Sequence, residues 1–285
     1  MKVAFVTDSG TGKTIEEMKA QGVYSLPLQI SYEEENKLDL VEITLEDVNA
    51  LMRRQINLKT SLPAAGMIED LFTQLKQEGY DMIFAVPICS GLSGTIQAMK
   101  MTAEQVGIAF DYVDCHVTAV VEEYLIVLAK RLYEEEQKSV AEIKAILEEV
   151  VASTNTLLMP DDLQHLKRGG RLTPLAATLG GLLKIKPILQ INQKTAGKID
   201  VVGKVRTLHR AMDQSVDLMK QDGIDENWEI IVAHVDSEAE GHVLQDKLKA
   251  AFPDAHHTLI PLVSVVSAHT GLGCQAIQYF KRYGK

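Results

Sequence analysis

The stretch Cys89-Ser90-Gly91-Leu92-Ser93-Gly94-Thr95 carries three hydroxyls, two glycines and no charge. It follows an apolar run, residues 81–86, that reads as a fully buried parallel strand. Ile96, Met99, Ala103 and Val106 then recur at helical spacing, so the loop opens a helix. Hydroxyls and backbone N–H groups at such a strand-to-helix turn suit an anionic oxygen, helped by the positive end of the helix. The same residue types also make an ordinary N-cap after a tight turn, and the loop alone is compatible with both readings.

Other constellations invite chemistry of their own. His269-Thr270-Gly271-Leu272-Gly273 puts a histidine before two glycines, read here as the start of a terminal helix. That imidazole suits a base, a proton donor or an anion ligand, or else is a loop histidine beside a cap. Lys167-Arg168-Gly169-Gly170-Arg171 is a basic, glycine-bent loop that could clamp a carboxylate or phosphate, or simply be a solvated turn. Lys204-Val205-Arg206 adds a guanidinium at the end of an expected strand. Gly12-Lys13-Thr14 ends like a phosphate-binding P-loop, but Thr7 stands where that motif requires glycine. An Asp8-Ser9 strand-end turn accounts for the segment better. A Ser93/His269 hydrolase lacks its G-x-S-x-G elbow, since Thr95 follows Ser93 at the second glycine position. The remaining histidines form no spaced metal pair on one helix, so no metal site is expected.

Composition narrows the classes. At 285 residues and 46% hydrophobic, the chain can bury a large core and divide into two domains. A formal net charge of −10 disfavours nucleic acid as a partner. No apolar run approaches the roughly 18–20 residues of a membrane span, and the first residues read as a strand, not a signal peptide. Three scattered cysteines, Cys89, Cys115 and Cys274, argue for reduced thiols in a cytoplasm.

The elements that must position these groups alternate at first. Residues 3–6 read as a strand, Thr14-x-x-Glu17 as a capping box opening a short helix, and residues 23–30 as one extended segment. Glu33-Glu34-Glu35 reads as a solvated hairpin or loop, Thr44-x-x-Asp47 starts a helix, and Lys59-Thr60-Ser61-Leu62-Pro63 breaks the pattern. A helix through Ile68, Phe72 and Leu75 precedes the strand feeding the Ser93 loop; a strand at 109–114 and helices at 120–133 and after Ser139-x-x-Glu142 follow. This βαβα order predicts a parallel sheet covered by helices. Beyond about residue 152 the character changes. A strand at 156–159, a segment at 163–171 and a Gly180-Gly181 break lead to extended runs at 185–191 and 198–205, joined as a hairpin through residues 193–197. Helices near 207–220 and 238–251 and strands at 229–235 and 258–263 complete an α+β unit.

In this order the segments resemble the DegV family of bacterial fatty-acid-binding proteins, over essentially the whole chain. Thr7-Asp8-Ser9 is similar to the family's opening strand-loop signature, Thr60-Ser61-Leu62-Pro63 to its Thr-Ser-x-Pro motif, and Ser90-Gly91-Leu92-Ser93-Gly94-Thr95 to its central loop. Leu166-Lys167-Arg168-Gly169-Gly170-Arg171, Ile185-Lys186-Pro187, Lys204-Val205-Arg206 and Ser267-Ala268-His269-Thr270-Gly271-Leu272-Gly273 follow in the family's order. Cys89 departs where many relatives have serine, and Ala64 where some do. Leu272 and Cys274 vary within the final loop.

The resemblance implies a DegV-like α/β fold of two domains. Residues 1–152 would form a parallel-sheet α/β domain holding a lipid tunnel, and 153–285 an α+β domain with a mixed or antiparallel sheet completing the head-group site. It implies that Thr60, Ser93, Arg206 and His269 surround the carboxylate of a long-chain fatty acid, supported by Ser61, Gly94, Thr95 and Gly271. Some members are acyl-binding subunits of fatty acid kinase. A separate ATP-binding kinase subunit is therefore an expected partner, with Arg168 and Arg171 as candidate contacts. No cofactor, no catalysis by the chain itself and no stable membrane insertion are expected. The alternative is a stand-alone small-molecule kinase, akin to the related dihydroxyacetone kinase fold, or a serine hydrolase.

Overall fold

Three sheets organise the computed structural model, which describes residues 1–178 and 185–284. The first sheet is wholly parallel, in the order β2 (Tyr24–Leu26), β1 (Val3–Asp8), β6 (Met82–Ala85), β7 (Ala109–Tyr112). A small antiparallel sheet pairs β4 (Glu35–Leu38), β3 (Gln29–Tyr32) and β5 (Lys59–Ser61). The third is mixed: β10 (Asp200–Val205), β9 (Lys186–Asn192), β8 (Asn155–Met159), β13 (Gln275–Lys281), β11 (Trp228–His234) and β12 (His256–Pro261), with only β11–β12 parallel.

The pleat explains why the first sheet reads as unbroken apolar runs. Ala4 and Val6 on β1, with Ile83 and Ala85 on β6, pack against α3 (Ala65–Gln77) and α4 (Thr95–Val106) through Ile68, Phe72, Leu75, Met99 and Ala103. Val3, Phe5 and Phe84 point the other way, towards α5 (Val120–Glu134). Both faces are covered, so neither alternate position is polar. The helices begin where capping was expected. Thr14 with Glu17 opens α1 (Ile15–Ala20), Thr44 with Asp47 opens α2 (Leu45–Arg53), and Ser139 with Glu142 opens α6 (Val140–Ser153), each with both reciprocal bonds made.

The third sheet alternates its faces as well. Leu157, Met159 and Ile188 face α9 (Leu208–Met219) and α10 (Glu238–Ala251), while Leu158, Leu189, Ile191 and Ala276 join the core shared with the first sheet. Gln278 of β13 stitches the two regions. Its Oε1 accepts the Val121 N–H at 3.0 Å, and its Nε2 donates to the Thr118 carbonyl at 2.8 Å.

Three sequence expectations need correction. The extended segment 23–30 is two strands in two sheets, because Pro27 between them has no N–H to carry a ladder. Lys59-Thr60-Ser61 does not merely break a pattern; it is edge strand β5, stopped before Pro63. His269 does not open a terminal helix. It lies in the last turn of α11 (Ser264–Thr270), which Gly271 ends at φ 80°. The chain then finishes as β13, between β8 and β11, where a run buried on both faces has no period to distinguish strand from helix. The Gly180-Gly181 break lies outside the described residues. Among the described residues, no helix is long and apolar enough to cross a membrane, and no His/Cys/Asp/Glu group is arranged to hold a metal ion.

Candidate functional site

The loop after β6 leaves the carboxyl end of the parallel sheet, where ligands of open α/β sheets gather. Its residues border a cavity of about 460 Å³. Polar groups line it from Thr60 and Ser61 of β5, Ser90 and Ser93 of the loop, Arg171, and His269 and Thr270 of α11. Apolar lining comes from Leu28, Ile88 and Leu92 in the first half of the chain and from Leu158, Ile191 and Ile199 in or beside the third sheet. The cavity therefore lies between the two halves. This corrects the expectation of a tunnel within residues 1–152, because the third sheet's inner face supplies one wall.

The polar lining is built from few bonds. Thr60 Oγ1 lies 2.6 Å from His269 Nε2, across 209 residues of chain. Ser93 Oγ lies 2.8 Å from Thr95 Oγ1. The N-cap of α4 is Gly94, which offers no side chain to the first-turn N–H groups, so Ser93 is not serving as the cap. Thr95 is buried behind Ser93 and touches the site only through it. Burial, reinforced by the charges of Arg171 and His165, holds His269 down to about 4, so it is neutral at pH 7.

Arg171 spans the mouth. Its Nε donates to the Leu92 carbonyl at 3.3 Å and its Nη1 to the Gly169 carbonyl at 2.5 Å, joining the Ser93 loop to the segment after α7 (Leu163–Arg168). Two of its five N–H groups are used in these bonds, leaving others for an anion. Gly169 lies directly against the histidine: a Cβ there would stand 2.7 Å from His269 Nδ1. His165 Nε2 lies 2.9 Å from the Ala268 carbonyl, so that nitrogen donates, and its Nδ1 faces Arg168 Nη2 at 3.2 Å.

Arg206 is not brought to this site. Ile199, just before β10, lines the cavity, whereas Arg206 follows the strand's other end and is exposed. At ~3.3 Å of rise per strand residue, the two are on the order of 20 Å apart. The guanidinium bordering the cavity is Arg171's, which the sequence reading had assigned to partner contact. Gly271 borders an adjoining polar hollow with His165 and Arg168, not the apolar cavity.

Two competing readings lose their geometry. The Gly12-Lys13-Thr14 segment adjoins a turn filled by acids. A Cβ on Gly10 would lie 2.7 Å from both Asp8 Oδ1 and Glu122 Oε2. Burial pushes Asp8 up to about 6, although hydrogen bonds from the Gly10 N–H and with Glu122 draw it back down, and burial together with the Asp8 carboxyl pushes Glu122 well above its ordinary range. Such a turn repels phosphate. As for a hydrolase, His269 Nε2 is engaged by Thr60 and Nδ1 lies under Gly169, while Ser93 Oγ pairs with Thr95.

Some site residues gave no signal in sequence. Ile191 and Ile199 flank an ordinary hairpin. Asp39 in Lys37-Leu38-Asp39-Leu40 belongs to no motif, yet it is fully buried and accepts the hydroxyls of Ser9 and Ser264.

Comparison with known proteins bears on the family and the fold. The model of the DegV family, described as uncharacterised, matches residues 2–282. A DegV domain-containing protein of Streptococcus pneumoniae is 28% identical over 283 residues, covering 98% of this chain and 99% of the relative. The crystal structure of DegV of Bacillus subtilis, described as a fatty acid binding protein, superposes with a TM-score of 0.86 at 26% identity, covering 99% of this chain and 100% of that one. A fatty acid binding DegV family protein of Streptococcus agalactiae gives 0.89 at 26% identity, covering 99% of each.

Proposed function

The chain belongs to the DegV family, and from that premise we propose that it binds a long-chain fatty acid with its carboxylate at the Thr60–Ser93–His269 end and its tail among the apolar walls. The observation that carries this reading is one cavity, about 460 Å³, lined both by hydroxyls, an imidazole and a guanidinium and by aliphatic side chains. A buried carboxylate needs donors, and each bond to it contributes about 1.5–3 kcal/mol. The tail gains ~0.8 kcal/mol per buried methylene, so ~14 methylenes offer about 11 kcal/mol before the costs of association. The tail thus dominates affinity, and the polar groups set orientation. Arg171 is the guanidinium of this reading.

The chain acts as a binding subunit that presents the carboxylate to a separate ATP-binding kinase. The acid-filled Asp8–Glu122 turn supports that division, since it offers no nucleotide cradle. Arg168, exposed beside the head-group end, is available for contact with that kinase. The domains we propose, 1–152 and 153–285, follow the sheets: the first two use strands up to Tyr112, and the third begins at Asn155. Three free, buried cysteines fit a cytoplasmic protein.

Extraction of the purified protein, followed by mass spectrometry, should release about one fatty acid per chain, as a single enclosed site implies. Acyl phosphate should form with ATP only after a fatty acid kinase subunit is added. Lipid-free preparations that also refuse added palmitate would overturn the binding reading. Acyl phosphate from this chain and ATP alone would favour a stand-alone kinase.

A further inference from the structure

One buried carboxylate outside the cavity holds the helix on which the cavity's polar lining depends. Asp39 follows β4 and is completely buried. Its Oδ2 accepts the Ser9 hydroxyl at 2.6 Å, and its Oδ1 accepts the hydroxyl of Ser264, the first residue of α11. Ser9 Oγ in turn accepts the Leu28 N–H at 3.0 Å, while the Asp39 N–H donates to the Leu28 carbonyl at 2.9 Å. Leu28 is itself a cavity wall. Three segments therefore meet on one carboxylate: the loop after β1, the connection from β4 to α2, and the start of α11.

His269 lies five residues along that helix from Ser264, or about 7.5 Å of axial rise. Its bond to Thr60 is only 2.6 Å long. Hydrogen bonds of this kind lose strength over a few tenths of an ångström and with modest loss of alignment. A small shift at the start of α11 thus reaches the head-group site undiminished. Among the described residues, no lysine or arginine forms a salt bridge with Asp39, so its partners are hydroxyls. Burial pushes its carboxyl up to about 6 while the two hydroxyls draw it back down, so it is ionised and purely an acceptor at neutral pH. Only an acceptor on both arms can take both serine hydroxyls. An amide offers one oxygen and one NH₂.

We infer that Asp39 is a positioning residue for the head-group site: by accepting Ser9 and Ser264 together, it sets where α11 stands against β5 and so fixes the His269–Thr60 contact. The inference rests on the fatty-acid reading above.

Asp39→Asn and Ser264→Ala, alone and combined with His269→Ala, separate this role from general stabilisation. The readout is the Kd for palmitate and for chain-matched hexadecanol. Loss of positioning should weaken palmitate by roughly tenfold, the equivalent of one net hydrogen bond, with hexadecanol changed by less than about threefold on the same scale. In the His269→Ala background the penalty should largely vanish, because the group being positioned is gone. Equal losses for acid and alcohol, or penalties that add in the double variants, overturn the inference. If Asp39→Asn does not fold, Ser264→Ala, which leaves the charge in place, carries the same comparison. A wild type that binds neither ligand, or that does not prefer the acid, overturns the fatty-acid reading and this inference with it. A preference that Asp39→Asn and Ser264→Ala leave intact overturns the inference alone.

Discussion

A histidine kept neutral by burial is a different tool from a protonated one. With His269 held down to about 4, one ring nitrogen carries a proton and the other does not. If Nε2–H donates to Thr60 Oγ1, the threonine proton points onward and can meet a carboxylate. Ser93, paired with Thr95 behind it, does the same from the other side. Thr60→Val and Ser93→Ala should therefore each weaken fatty-acid binding by about 1.5–3 kcal/mol while barely changing a matched alcohol. Competition against a fluorescent acid measures both, and parallel losses would mean a collapsed cavity instead. At this scale, residue chemistry singled out the Ser93 loop and His269 as candidates, and the family resemblance added Thr60. They could not separate Arg171 from Arg206, because both are guanidiniums beside expected turns and only the direction of β10 decides which one reaches the cavity.

Among the elements, the decisive contact is between the Ser93 loop and the β9–β10 hairpin. A Cβ on Gly91 would fall 2.2 Å from the Gly197 carbonyl carbon and 2.3 Å from its oxygen, so the two backbones touch where no side chain fits. Gly197 itself sits at φ 71° and packs on the Cys89 thiol. Gly91→Ala must displace the hairpin, and with it the Ile199 wall. It should lower stability by about 1–3 kcal/mol and weaken fatty acid and alcohol alike, unlike the head-group variants. Gly66→Ala is the control. Nothing lies within 4 Å of its added Cβ, so it should leave binding unchanged and raise stability by about 0.4–1 kcal/mol. Urea midpoints for the two variants check the contrast. Two glycines in a hydroxyl loop suggested a tight turn; that the turn exists to admit a second backbone was invisible, because Gly197 lies over a hundred residues away.

For the molecule as a whole, buried titratable groups pull stability in opposite directions with pH. His269 has its folded pKa lowered from 6.5 to about 4. Its contribution is present above 6.5 and is lost as pH falls through that window, because the unfolded chain then takes a proton the folded state refuses. Asp8 and Asp39 are raised from 3.8 to about 6. Their contribution is present below 3.8 and is lost as pH rises through 6. Acidifying the ligand-free protein from pH 7 therefore sets the loss at His269 against gains at Asp8, Asp39 and Glu122, whose carboxyl is also raised by burial. His269→Gln removes the loss. The stability of the wild type relative to this variant should fall by about 3 kcal/mol between pH 7 and 4. Denaturant titrations at each pH test this, and a constant difference would show that His269 is solvated and titrates normally.

Local and periodic physics was enough to specify much of this protein from its amino-acid order. Capping boxes at Thr14, Thr44 and Ser139, apolar runs buried on both faces, and the order of the hydroxyl and basic motifs are all properties of a few consecutive residues. They predicted the parallel sheet and the mixed α+β second half, while the set of residues expected around a carboxylate came from the family resemblance. Tertiary structure alone decided the rest. Whether residues 275–281 were strand or helix depended on neighbours β8 and β11, since a run buried all round has no period. That the cavity lies between the halves, that Arg171 and not Arg206 borders it, and that Asp39 anchors α11 are outcomes of packing between segments 100 to 225 residues apart. No local propensity encodes such distances. They follow from how two sheet faces and their loops close upon one another.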